Sequence, residues 1–201
     1  MYDVFMAILK LILGLGLLPA VIGVSKSFCA ELAAFHSMDD MFLWGGAAYL
    51  MVHLFVYSPK NLFAYMQRIF ADLLRFAPTF VAVLLPRMIP MVPGLLLLVL
   101  YVAQHTLGVG ARAEAYFLFF IGFTLAMHII LTAHELQDED TSVVKSHYLF
   151  SMALAYTVNL VVMGFLLHLN FPHFSFPTFW AGALEETEGI YKVVFQYLVW
   201  R

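Results

Sequence analysis

Charge and cysteine are what this chain has least of. Lys, Arg, Asp and Glu make up 11% of its 201 residues, against about one quarter in an ordinary soluble domain. No stretch is long or polar enough to cover a separate water-soluble domain. Ten Lys and Arg against thirteen Asp and Glu leave a formal charge of -3. Without a basic stripe to neutralise phosphates, nucleic acid is a poor partner. The one cysteine, Cys29, has no second thiol in the chain, which excludes an internal disulfide. The first apolar run lacks a small-x-small cleavage pattern and carries Lys10 inside it, so it reads as a retained helix. What is abundant is apolar: 63% of residues, with a mean hydropathy of +0.90. Lipid is the expected solvent.

The runs predict an all-α, polytopic integral membrane helix bundle forming a single membrane domain over 1–201, with about five transmembrane helices plus amphipathic helices. The spans fall at about Phe5 to Val24, Met41 to Tyr57, a third ending at Gln104, Ala115 to Ala133, and Tyr148 to Leu169. Pro19 bends the first, and Gly16 with Ala20 offers a small-xxx-small face for another helix. Residues 61–76 read as an amphipathic helix, with Gln67, Arg68, Asp72 and Arg75 opposite Leu62, Tyr65, Ile69 and Leu73. Prolines 78, 86, 90 and 93 break the next apolar stretch around Arg87. Irregular backbone at membrane depth must be shielded by protein or line a wet cavity, so that stretch is also a site candidate.

Over 178–200 a second amphipathic helix places Phe179, Trp180, Leu184, Tyr191 and Phe195 on one stripe, with Glu185, Glu186, Glu188 and Lys192 off it. An acidic polar face repels anionic lipid, so this helix is expected to dock on its own bundle or on other membrane protein subunits. The Lys/Arg bias of the second loop assigns that loop and the N-terminus to the cytoplasmic side.

Ionisable or amide side chains at membrane depth mark functional positions: His53, Arg87, His147 and Asn159, with His128. A neutral histidine donating to a neighbouring helix is the plainer role; two histidines on facing helices also permit haem. His134 and Asp138 share a helical face with Glu135 between them, an HExxD arrangement. With His128 and Asp140 they form the one set that sequence alone offers for zinc, and acids at a solvated helix end are the plainer account of the pattern. Neither zinc nor haem is a firm expectation.

Phe42-Leu43-Trp44-Gly45-Gly46-Ala47-Ala48-Tyr49, His53-Leu54-Phe55, Pro59 and Leu62-Phe63 resemble the lead-in to the zinc motif of M50-like bacterial membrane metallopeptidases. Ala77-Pro78-Thr79-Phe80, Gly122-Phe123-Thr124, His128 to Thr132, Tyr148-Leu149-Phe150-Ser151 and Asn159-Leu160 resemble its later elements. The resemblance covers residues 40 to 165 in short hydrophobic motifs. Where that family holds HExxH, this chain has Gln67-Arg68-Ile69-Phe70-Ala71. Gln67 and Ala71 supply no imidazole and Arg68 repels a divalent cation, so the resemblance implies a degenerate motif with no catalytic residue there. In the family an aspartate between the fourth and fifth helices completes the metal site, and Asp138 or Asp140 would be its counterpart.

The expectation is a non-catalytic membrane subunit or scaffold, multi-pass, in a bacterial cytoplasmic membrane. The alternatives are an intramembrane metal-dependent hydrolase with a relocated site, and a transporter or cofactor-bearing redox subunit.

Overall fold

With no water in the hydrocarbon, backbone amides must find partners within their own segment, and this chain does so as helix. The computed structural model describes residues 2–33, 39–55, 87–108, 110–139 and 145–199, with 65, 68, 69 and 72 singly. Six helices and no strand occur among them: α1 (Tyr2–Ala33), α2 (Asp39–Phe55), α3 (Met91–Leu107), α4 (Ala111–Glu139), α5 (Ser146–Asn170) and α6 (Phe176–Val199). The fold is all-α. Three described stretches are long and apolar enough to cross a membrane: Val4–Ala33, Ala111–Asp138 and Ser146–Asn170; Met91–Leu107 is a shorter apolar helix. Val4, Phe5, Ile8, Ile12 and Leu13 all stand exposed on α1, a surface that water would reject and lipid accepts. The chain is a membrane protein.

Two helices exceed their expected limits. α1 continues through Pro19 and past Val24 to Ala33, and α4 continues through the acidic run to Glu139. The C-terminal carbonyls of α4 face a cation, because Lys145 Nζ donates to Gln137 O at 3.3 Å. At the span expected over Met41 to Tyr57 the structure has the helix Asp39–Phe55, which is not among the stretches long and apolar enough to cross a membrane. Most of the amphipathic helix expected over 61–76, Gln67 and Ala71 included, lies outside the described residues, as do prolines 78 and 86 and Asp140. Tyr65, Arg68, Ile69 and Asp72 are helical and exposed.

The chain divides into two compact units, Met1–Phe35 with Glu135–Arg201, and His36–His134. In the first, α1 packs against both α5 and α6. α5 runs parallel to α1: Lys10 Nζ donates to His147 Nδ1 (3.3 Å), Gly14 lies against the Phe150 backbone, and Tyr156 bonds Ser25 (3.0 Å). α6 runs antiparallel to α1, from the Ser175 amide on Glu31 (3.2 Å), through Ser27 donating to Phe179 O (2.7 Å), to the Tyr191 hydroxyl on Gly16 O. Gly23 is the point of closest approach: a Cβ there would collide with Ala183 and Thr187. Phe28, Phe174, Phe179 and Phe176 interlock at one end of this seam, with ring centroids 5.7–6.0 Å apart for each contacting pair. At Gly16 an added Cβ would meet nothing, so the tight backbone approach of α6 falls at Gly23, while Gly16 O accepts from the Tyr191 hydroxyl.

In the second unit α2 runs parallel to the first part of α4. Gly45 lies against Phe119 O and Gly122 against Phe42 O, so closely that neither position admits a Cβ. Beyond this crossing Tyr49, Met127 and Leu131 form a buried cluster with Phe123, Ala126 and Ile130.

Candidate functional site

The Gly45–Gly122 crossing brings one face of α2 against an i, i+3, i+4 stripe of α4, which sets the polar side chains further along. Tyr49 is fully buried. Its ring meets Phe123 edge-on (5.2 Å, 86°) and stacks on His53 (5.8 Å, 29°). His53 in turn lies 5.5 Å, centroid to centroid, from His134. The result is an ordered column, Phe123, Tyr49, His53, His134, that turns from apolar to polar toward the C-terminal ends of α2 and α4. Tyr49 Oη, His53 Nδ1 and Thr132 Oγ1 are all buried with no hydrogen-bond partner among the described residues. Buried polar atoms without partners are disfavoured, and such groups ordinarily hold water or a ligand.

Two of the four residues offered for zinc, His128 and His134, therefore have different neighbours. His128 Nε2 donates to Arg87 O at 3.2 Å, a backbone role that braces the chain ahead of α3. His134 faces His53. Asp138 is exposed near the end of α4, and Asp140 lies outside the described residues. Among the described residues no three His, Cys, Asp or Glu side chains are grouped to hold a metal. His53 and His134 together offer two imidazoles, one fewer than the three protein ligands of a catalytic zinc site.

No protein-family model, curated protein or solved structure matches this chain.

The other polar candidates serve the seams of the first unit. His147 accepts from Lys10, so a cation placed inside the first apolar run is held by α5. Asn159 is buried and its Nδ2 donates to Ala155 O at 2.8 Å within its own helix. The stripe on α6 divides in two. Phe179 is fully buried, joining the aromatic cluster on α1, whereas Trp180, Leu184, Tyr191 and Phe195 remain exposed, Phe195 by 69%.

Sequence reasoning missed Tyr49 and Thr132. Their signal was present: Tyr49 precedes His53 by one helical turn, and Thr132 follows His128 by one. It also missed the seam of Ser25, Lys26, Ser27 and Glu31, which reads as a polar linker until α6 is placed beside it.

Proposed function

We propose that this protein is a non-catalytic, multi-pass subunit of a larger assembly in a bacterial cytoplasmic membrane, resembling a metallopeptidase bundle whose zinc ligands are replaced. The observation that carries this reading is α6. One face is seated on α1 through Phe179, Gly182, Ala183 and Thr187, while Trp180, Leu184, Tyr191 and Phe195 stand uncovered beside exposed carboxylates. Lipid alone suits the aromatic side chains and not the carboxylates; a partner protein suits both. Arg68, in the stretch that on the stated resemblance would stand in place of the zinc motif, is exposed on a helix, and its charge would repel a divalent cation. Extraction from native membranes in mild detergent followed by mass measurement tests the reading. A stable larger assembly without stoichiometric metal supports it, and a clean monomer overturns it.

The His53–His134 pair favours a second reading, a metal-binding membrane protein. The pair falls one ligand short of the three that protein zinc sites use, which is why the subunit reading stands first. Metal analysis of purified protein separates the two: stoichiometric zinc or copper lost in His134→Ala would establish the second reading, and metal-free wild-type protein would eliminate it.

A further inference from the structure

We infer that His53 and His134 form a two-coordinate site for a soft monovalent cation, Cu(I), near the C-terminal ends of α2 and α4. This rests on the metal-binding reading of the same pair and names the ion that the pair would take.

The two rings differ from the other helical histidines among the described residues. His105 bonds Tyr101 O, His128 bonds Arg87 O, His147 bonds Lys10 and His168 bonds Phe174 O. Each of those imidazoles has an ordinary structural partner. Neither His53 nor His134 has a hydrogen bond or ion pair among the described residues, and His53 Nδ1 is buried besides. The two rings nevertheless face each other from two helices, with 5.5 Å between centroids. Rings this close leave room between them for one atom and not for a molecule. A metal–nitrogen bond is ~2 Å long, so small side-chain rotations aim one nitrogen of each ring at a shared ion.

The neighbours hold one ring and leave a way in. Tyr49 stacks on His53 at 29° and is itself fully buried, and Leu131, which packs with Tyr49, is buried on α4 three residues before His134. Those side chains close one side of the pair. His53 and His134 are only half-buried, so an ion reaches them from the side of the helix ends.

Ligand number and charge select the ion. Among the described residues no His, Cys, Asp or Glu joins the pair as a third ligand. Zinc takes three or four protein ligands, and Cu(II) prefers four around a plane. Cu(I) has a filled d shell and is satisfied by two neutral nitrogen donors in line. Two neutral imidazoles cancel none of the metal's charge. The desolvation penalty of an ion rises with the square of that charge, so beside buried Tyr49 and Leu131 a divalent ion is disfavoured far more than a monovalent one.

The test uses the full chain in detergent under anaerobic, reducing conditions, with Cys29→Ser as the background because that exposed thiol would itself bind Cu(I). Competition against a coloured Cu(I) chelator reads the affinity. One Cu(I) per chain is expected, retained against about a hundredfold excess of Zn(II), and X-ray absorption at the copper edge is expected to show two nitrogen neighbours. His53→Phe and His134→Phe keep a flat ring and remove both nitrogens. Each is expected to weaken binding by about a hundredfold, a loss that metal sites show even when only a partner of a ligand is removed, with the melting temperature unchanged. His173→Ala, at an exposed histidine outside the pair, is expected to bind as the background does. Equal Cu(I) affinity in the background and both Phe variants, a third light-atom neighbour at the metal, or a loss in Asp138→Asn as large as in His134→Phe would overturn the inference. Zn(II) bound one per chain and lost in His134→Phe, with no Cu(I) retained, would overturn the choice of ion and leave the metal-binding reading standing. Binding of neither ion would overturn both and leave the subunit reading to its own test.

Discussion

Tyr49 shows how a single buried side chain reports on its surroundings. Its ring stacks on His53 and meets Phe123 edge-on, and its hydroxyl has no partner among the described residues. A buried hydroxyl without a hydrogen bond is destabilising by about 1–3 kcal/mol. Tyr49→Phe keeps the ring and removes the orphan, so the variant is expected to unfold at the same temperature as wild type or up to ~1 kcal/mol more stably. Loss of stability on that substitution would mean that the hydroxyl holds a ligand or water. Tyr49→Ala empties the site and is expected to be worse by about 3–5 kcal/mol, read in the same detergent melts. Gly122 sets the opposite limit, since a side chain there collides with the Phe42 carbonyl. Gly122→Val forces α2 away from α4 and is expected to cost about 1–3 kcal/mol or more. Neither role was legible as such. Tyr49 and Gly122 each appeared only inside hydrophobic runs, and nothing in a single run states which helix faces it.

At the scale of elements, legibility followed the punctuation. Asn170-Phe171-Pro172 and the left-handed Gly108 mark ends that the hydropathy pattern also marks, and α5 and α6 fell within two residues of their expected limits. α1 did not. Its expected end at Val24 precedes Ser25-Lys26-Ser27, which looks like a polar linker, yet the helix runs on for nine residues. The reason is long-range: Ser27, Lys26 and Glu31 find partners at Phe179, Glu186 and Ser175, about 150 residues later. Polar residues with partners on a neighbouring helix extend a helix that solvent would have ended. The seam makes a graded prediction. Ser27→Ala removes a buried hydrogen bond and is expected to cost about 1 kcal/mol. Lys26→Ala removes an exposed pair and is expected to cost about 0.5 kcal/mol or less in detergent. Equal losses in a melt series would show that the two contacts are equally buried in the micelle.

At the scale of the whole molecule, composition alone identified lipid as the solvent. Orientation rests on a weaker signal, the Lys/Arg bias of the second loop, by which the N-terminus is expected on the cytoplasmic side. α1 turns that signal into a measurement, because the only cysteine of the chain lies near its far end. Cys29 is exposed and sits four residues before Ala33, where α1 ends. If the N-terminus is cytoplasmic and α1 crosses once, Cys29 emerges at the opposite surface, reachable by a membrane-impermeant maleimide in intact cells without engineering any new thiol. Labelling in intact cells is the expected outcome, and Cys29→Ser supplies the blank. Labelling only after permeabilisation would reverse the orientation and, with it, the side from which α5 and α6 run, since both are tied to α1 by direct contacts along their lengths. Protection from the reagent on both sides, relieved when the chain is purified alone, would instead locate a partner over this end of α1, adjoining the aromatic cluster of Phe28, Phe174 and Phe179.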